Sequence, residues 1–197
     1  MTRALLIHCH PRPESFTAAV RDTVLTTLAA KGAETRLTDL YAEGFDPALT
    51  ASEHETYETA DHTHVARHAA NIAWADTLIF TYPTWWYGLP AMLKGWLDRT
   101  MLPGLAFHMP AGPNETIRPG LTHITRLGVF TTCGASRTLT FLMGAPGKRT
   151  LLRGIGALCT RTRRTAFAAH YLMDSSTPQS RAAHLARVAR KTERLIR

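Results

Sequence analysis

The chain has 197 residues, of which 45% are hydrophobic, and it carries a formal net charge of +8. This length and apolar content predict one domain, over residues 1–197, with a well-buried core. The apolar run before His8 is too short for the core of a secretory signal, and no stretch approaches the roughly 20 apolar residues of a membrane span. We therefore expect a cytoplasmic protein without a membrane span. The positive charge admits an anionic ligand, a nucleic acid or a membrane surface as a partner.

Short apolar or alternating runs predict five strands, at residues 3–9, 35–40, 77–82, 124–131 and 165–172. We expect Pro83 to end the third strand. Apolar residues at helical spacing predict helices at residues 16–31, about 52–74, from 89 onward, 150–158 and from 177 onward. Ser15 is a predicted N-cap and Gly32 a predicted stop. The Gly- and Pro-rich residues 103–120 predict a long irregular excursion.

Strands that alternate with helices predict a parallel sheet with helices on both faces, because a parallel crossover usually needs a helix. Five strands fit a flavodoxin-like three-layer α/β sandwich with strand order 2-1-3-4-5. In that order, a ligand binds beyond the carboxyl ends of strands 1, 3 and 4. Three segments follow those ends: the first loop (residues 10–17, HPRPESFT), the second loop (residues 83–88, PTWWYG) and the third loop (residues 131–136, TTCGAS).

The first loop leads into a helix, whose free N–H groups and positive dipole end attract phosphate. Ser15 and Thr17 add hydroxyl donors, and His10 and Arg12 add further donors or positive charge. The alternative is that Ser15 only caps the helix.

The second loop collects three large aromatic rings, Trp85, Trp86 and Tyr87, next to Pro83 and Thr84. Aromatic walls together with backbone donors suit a flat ligand such as a flavin ring. The alternative for any single ring is packing under the sheet or at a dimer interface.

The third loop offers small residues that permit close approach of a ligand to the backbone, at Thr131, Thr132, Cys133 and Gly134. No general base for Cys133 is identifiable, so an inert thiol is the favoured interpretation. The three cysteines of the chain lack the paired spacing of a zinc site or a disulfide framework. His64 and His68 lie four residues apart, but without a third ligand they favour a polar helix surface, and we expect no metal.

Five segments resemble the flavodoxin-like NAD(P)H:quinone oxidoreductases: HPRPESF at residues 10–16, DLYAEGFDP at 39–47, ADTLIFTYPTWWYGLPAMLKGWLDR at 75–99, GLAF at 104–107 and TTCG at 131–134. That family includes mammalian quinone reductases, bacterial drug-modulator relatives and ancillary subunits of potassium-efflux systems. The resemblance runs from the first strand through the third loop and is weak after about residue 136. It implies a homodimer with one flavin per subunit and a ping-pong cycle, in which NAD(P)H reduces the flavin and a quinone or similar acceptor is reduced in turn.

Matched position by position, the resemblance assigns flavin contacts to all three loops: His10, Ser15, Phe16 and Thr17 at the phosphate-bearing tail, and Pro83, Thr84, Trp85, Trp86, Tyr87, Thr131, Thr132, Cys133 and Gly134 at the ring. It also places Phe107 and Met109 near the acceptor site. Mammalian members have a Tyr and a His that are proposed to relay charge, and the corresponding positions here are Leu139 and Ala145. We therefore assign no catalytic acid or base.

Several alternatives stay open at this point. The cofactor is FAD or FMN, with FAD favoured because the first loop keeps its His and its Ser-Phe pair. The preference between NADH and NADPH is undetermined. A regulatory flavoprotein with slow turnover, like the potassium-efflux subunits, is the alternative to an enzyme. The basic closing helix could bind nucleic acid electrostatically, but no nucleic-acid motif accompanies it, and we expect no such partner.

Overall fold

The computed structural model describes residues 1–59 and 61–197. Its strands are β1 Arg3–His8, β2 Glu34–Asp39, β3 Thr77–Thr84, β4 Phe107–His108, β5 Arg118–Pro119, β6 Arg126–Cys133 and β7 Arg164–His170. Its α-helices are α1 Phe16–Ala30, α2 Ala51–Glu55, α3 Ala66–Trp74, α4 Ala91–Thr100, α5 Arg137–Leu142, α6 Pro146–Arg149, α7 Gly156–Leu158 and α8 Pro178–Ile196. A π-helical turn, Thr150–Ile155, joins α6 to α7.

The five long strands form one parallel sheet in the order β2-β1-β3-β6-β7. Counted in chain order, this is the predicted order 2-1-3-4-5, and the predicted flavodoxin-like fold is confirmed. Alternate residues of β1 face opposite sides of the sheet. Leu6 packs on the side that carries α1 and α8, whereas Leu5 and Ile7 pack on the side that carries α3, α4 and the π-helical turn. Helices therefore cover both faces and make three layers.

Strand β3 continues past the proline that was expected to end it. Pro83 pairs with Thr132 of β6, while the pairing of β3 with β1 ends at Thr81. The Thr81 carbonyl faces β1, where it accepts from the Cys9 amide (3.0 Å). Residues two apart in a strand direct their backbone polar groups to the same side, so the nitrogen of Pro83 also points toward the β1 side. Because β1 no longer pairs with β3 at this position, the N–H that proline lacks removes no hydrogen bond from the sheet.

The segment before β3 is not the single helix predicted over residues 52–74. It contains α2, two 3₁₀ turns (Tyr57–Thr59 and Thr63–Val65) and α3, and Ala60 lies outside the described residues. Asp61 accepts hydrogen bonds from the Thr63 amide (2.8 Å) and hydroxyl (2.6 Å), a local alternative to helical bonding. The predicted polar surface at His64 and His68 is wrong for His68, which is buried and whose Nδ1 accepts from the Trp96 indole (3.3 Å).

Three other predictions need correction. Residues 103–120 contain the short antiparallel pair β4 and β5, not only irregular chain. Helix α5 was missed, although Ser136 caps it by accepting from the Leu139 amide (3.2 Å). The helix predicted at 150–158 begins earlier, at Pro146, and its middle is π-helical. Among the residues described, no helix is long and apolar enough to span a membrane.

Candidate functional site

A cavity of about 730 Å³ lies beyond the carboxyl ends of β1, β3 and β6, and we call it the cleft. The three predicted loops and the turn after β7 line it, through His10, Pro83, Thr84, Trp85, Trp86, Tyr87, Thr132, Cys133, Gly134, Ala135, Met173 and Asp174. This volume lies within the usual range of cofactor and small-molecule sites, roughly 300–1,000 Å³. The structure therefore brings most of the predicted binding residues around one space.

One wall of the cleft is a tight turn over Trp85, Trp86, Tyr87 and Gly88, which we call the aromatic turn. The Gly88 amide donates to the Trp85 carbonyl (2.9 Å) and closes the turn. Both central residues have positive φ, 48° at Trp86 and 61° at Tyr87. Asn and Gly usually occupy such positions, and a bulky side chain there costs about 1–3 kcal/mol. Backbone strain of this kind concentrates at functional sites.

Helix α6 supports the aromatic turn from behind. The Gly147 amide donates to the Tyr87 carbonyl (3.4 Å). A Cβ at Gly147 would lie 3.1 Å from the Gly88 carbonyl carbon and 3.3 Å from the Tyr82 hydroxyl. Any other residue at this position would therefore require α6, the turn or Tyr82 to shift by a few tenths of an ångström.

Threonine hydroxyls join the three loops beneath the cleft. Thr131 donates to the Thr132 carbonyl (3.3 Å), so it accepts from the Thr84 hydroxyl (2.7 Å). The Thr132 hydroxyl lies 3.0 Å from that of Thr17, at the start of α1. Thr17 and Thr131 are buried and do not line the cleft, and their hydroxyls contact the neighbouring loops.

At the first loop, the backbone of Arg12 holds the His10 ring. His10 Nδ1 lies 3.0 Å from the Arg12 amide and 3.1 Å from the Arg12 carbonyl. It accepts from the amide in one tautomer and donates to the carbonyl in the other. Burial lowers the pKa of His10, which keeps the ring neutral near pH 7. Arg12 is paired with Glu14 (2.7 Å), which offsets its charge. His10 thus presents a neutral imidazole to the cleft.

Ser15 and Phe16, both predicted as tail contacts, lie outside the cleft lining. Ser15 caps α1 by accepting from the Ala18 amide (3.1 Å). The Phe16 ring packs against His170, with ring centroids 5.3 Å apart, and against His184 at 6.0 Å. Both histidines line a second cavity of about 430 Å³ between β7 and α8.

The remaining predicted residues differ in position. Cys133 lines the cleft but is only 5% exposed, and its sulfur lies 3.7 Å from the Thr140 hydroxyl. Phe107, on β4, packs against the core, and Met109 is exposed; neither lines the cleft of its own chain.

Sequence reasoning missed three lining residues, Ala135, Met173 and Asp174. The last two lie in a 3₁₀ turn that follows Leu172, a residue with φ of 54°. The Leu172 amide donates to the Ala135 carbonyl (3.3 Å) and draws this turn against the third loop. Asp174 Oδ2 lies 3.1 Å from where a Cβ of Gly134 would be. The end of the fifth long strand carried no motif, and the strand ends two residues earlier than predicted.

A family model described as a flavodoxin-like fold matches residues 2–192. The chain belongs to this flavodoxin-like family. It is 30% identical over 126 residues to ribosyldihydronicotinamide dehydrogenase [quinone] of Pongo abelii, covering 55% of this chain and 54% of that protein. It is 29% identical over 174 residues to NAD(P)H dehydrogenase [quinone] 1 of Cavia porcellus, covering 77% and 60%. The predicted resemblance to quinone oxidoreductases is thereby confirmed.

The chain spans a little over half the length of these two mammalian relatives. Among solved structures, NAD(P)H:quinone oxidoreductase from Methanothermobacter marburgensis superimposes with a TM-score of 0.82 at 23% identity. That match covers 100% of this chain and 98% of the other. At this identity the likeness supports the fold alone.

Proposed function

We propose that this protein is a flavin-dependent NAD(P)H oxidoreductase that reduces quinones or related acceptors, such as nitro and azo compounds, by ping-pong hydride transfer. The observation that carries the proposal is the aromatic turn, where Trp86 and Tyr87 hold positive φ on the wall of the cleft. A strained turn that presents flat rings to a cavity suits a flat cofactor better than it suits a structural role. The names of the two mammalian relatives support a quinone as the acceptor.

The chain's own residues have distinct roles in this proposal. Trp85, Trp86 and Tyr87 would hold the flavin ring as a wall of the cleft, and the backbone N–H groups of the third loop would donate to its acceptor atoms. The first N–H groups of α1 and the neutral His10 can hold the phosphate. When bound, the flavin accepts a hydride from NAD(P)H and passes the reducing equivalents to the acceptor. No side-chain acid or base is assigned.

The second cavity favours FAD over FMN. It lies beside Phe16 and is lined in part by His170, His184 and Arg187. Neither ring nitrogen of the buried His184 has a partner within the described residues. Buried polar atoms normally have hydrogen-bond partners, and the adenosine diphosphate part of FAD would supply them here. The residues that line this cavity would then hold the adenosine diphosphate part of FAD.

We propose a homodimer as the active form. Phe107 and Met109 do not line the cleft of their own chain, so a role for them at the acceptor site requires a second subunit. The exposed apolar side chains of α5 and the residue after it, Leu139, Phe141, Leu142 and Met143, offer a surface that a second subunit could cover.

The visible absorption spectrum of the purified protein, followed by chromatography of the released chromophore, tests the proposal. We expect close to one flavin per chain, identified as FAD. A colourless protein that takes up neither FAD nor FMN on reconstitution would contradict the proposal and leave the fold intact.

Turnover distinguishes an enzyme from the regulatory alternative. Anaerobic mixing with NADH or NADPH measures flavin reduction, and subsequent mixing with a soluble benzoquinone measures reoxidation. Fast reduction and reoxidation support the enzyme. Flavin that binds but turns over slowly with every acceptor class supports the regulatory flavoprotein.

A further inference from the structure

A separate basic groove lies at the opposite end of the sheet from the cleft. This cavity, of about 340 Å³, lies between the start of β7 and the last turns of α8. It is lined by Arg164, Lys191 and Arg194, together with Thr165, Ala166 and Leu195. The cleft lies beyond the other end of β7, a strand of 7 residues that extends about 20 Å. A ligand in this groove is therefore not part of the flavin site.

The three cations of the groove lack counter-charges from the chain itself. Within residues 1–59 and 61–197, none of the three side chains forms an ion pair (N to O within 4.0 Å) with a carboxylate. Glu193, the acidic residue of α8, lies 3.7 Å from Lys31 of α1 instead. Three like charges around one cavity repel each other unless an anion offsets them.

Thr165, which lines the groove, also has a backbone donor at the outer edge of the sheet. The Arg164 amide donates to the Thr125 carbonyl (2.9 Å), on the side of β6. Successive residues of a strand direct their N–H groups to opposite sides, so the Thr165 N–H lies on the outer side of β7. Strand β7 is the last strand of the sheet, so no neighbouring strand accepts this hydrogen bond. An anion in the groove would satisfy it.

We propose that this groove is a binding site for a phosphate-bearing ligand. Guanidinium and ammonium groups around a free amide match the several acceptor oxygens of a phosphate or diphosphate. The apolar floor formed by Ala166 and Leu195, and a volume larger than one phosphate requires, leave room for the rest of a phosphate ester. The phosphate belongs either to a soluble ester or to a lipid headgroup.

Titration of the flavin-loaded protein with inorganic pyrophosphate at low ionic strength tests the site. We expect saturable binding by calorimetry, and an NMR shift of the Thr165 amide as pyrophosphate is added. The double variant Lys191→Gln with Arg194→Gln should bind pyrophosphate at least about tenfold more weakly. It loses two cationic donors, and hydrogen bonds from charged donors are stronger than those between neutral groups. Arg164→Gln supplies an independent variant on the other side of the groove.

A matched control removes the same charge elsewhere. Arg149→Gln with Arg153→Gln changes two exposed cations on the opposite face of the sheet and should keep pyrophosphate affinity within about twofold, apart from the general charge effect. Equal losses in the two double variants would overturn the proposal, as would wild-type protein that shows no saturable pyrophosphate binding. Thermal unfolding confirms that each variant is folded.

A second titration identifies the source of the phosphate. Vesicles that contain phosphatidic acid present the same group on a lipid surface. If the wild-type protein and the control variant sediment with these vesicles and the groove variants do not, the site binds a lipid headgroup. Pyrophosphate binding without vesicle binding assigns it to a soluble phosphate ester, and either result supports the groove as the site. Vesicle binding that survives in the groove variants counts against it.

Discussion

Replacing Gly147 with alanine perturbs the aromatic turn without changing any residue that lines the cleft. The new methyl group would lie 3.1 Å from the carbonyl carbon of Gly88, 3.2 Å from its oxygen and 3.3 Å from the Tyr82 hydroxyl. Ordinary contacts of a Cβ begin at about 3.4 Å. Two of these neighbours are backbone atoms of the strained turn and the third belongs to a buried ring, so we expect relief of the contact to displace the turn or α6 by a few tenths of an ångström.

The magnitude follows from two opposing effects. Overpacking of this kind costs about 1–3 kcal/mol. Alanine in place of glycine within a helix stabilises the folded protein by up to about 1 kcal/mol. Gly154→Ala is the matched control, because Gly154 lies in the π-helical turn that continues α6 and a Cβ there meets nothing within 4 Å. Gly147→Ala should therefore be less stable than Gly154→Ala by about 1–3 kcal/mol, or about 2–12 °C in melting temperature.

Two assays check this prediction: thermal unfolding of both apo-proteins, and flavin titration of both. We expect weaker flavin binding in Gly147→Ala, because the turn that forms the wall is displaced, and unchanged binding in Gly154→Ala. If both variants have the same melting temperature and bind flavin equally, the close approach of α6 at Gly147 does not hold the aromatic turn.

Three further predictions concern the cleft and the buried histidines. Changing both Trp85 and Trp86 to alanine should weaken flavin binding while leaving stability nearly unchanged, because these side chains are 42% and 95% exposed; undiminished flavin content in the folded variant would contradict their role. Cys133→Ser should keep turnover within a few-fold, since no base is paired with the thiol among the described residues, and a loss of about a hundredfold or more in steady-state rate would show a catalytic thiol. Burial lowers the pKa of His8 and of His184 from 6.5 to about 4, so the charged form is disfavoured in the folded state. Stability of the apo-protein should be fully present above pH 6.5 and should fall as the pH drops toward 4, by up to about 3 kcal/mol per histidine. His184→Leu should flatten this acid limb in denaturant unfolding at a series of pH values, and an unchanged limb would rule out His184 as a source.

The sequence predicts the three loops well because the information is local. Short apolar runs that alternate with predicted helices indicate a parallel sheet. That topology places the segments after β1, β3 and β6 at the same end of the sheet. The end of β3 was predicted too early, at Pro83, because a proline disrupts a strand only where its nitrogen faces a paired neighbour. The sequence alone does not show at which residue each neighbouring strand stops pairing.

The cleft residues that were missed depend on contacts between distant segments. Asp174 reaches the third loop only because the Leu172 amide bonds the Ala135 carbonyl, across 37 residues of chain. The resemblance assigned Phe16 to the flavin tail, and in the structure its ring packs toward His170 and His184, which line the second cavity. Neither partner is recognisable before β7 and α8 are packed together.

The aromatic turn depends both on its local sequence and on contacts with distant segments. Its residues are adjacent in sequence and were predicted to bind a ring, but the positive φ of Trp86 and Tyr87 is unfavourable for bulky side chains and cannot be maintained by residues 85–88 alone. The contacts that oppose the strain come from elsewhere: the Thr131 hydroxyl holds Thr84 and the Gly147 amide holds the Tyr87 carbonyl. These contacts lie within the chain, so we expect the turn to keep its shape without a cofactor. A cofactor that binds to a preformed wall avoids the entropic cost of ordering it.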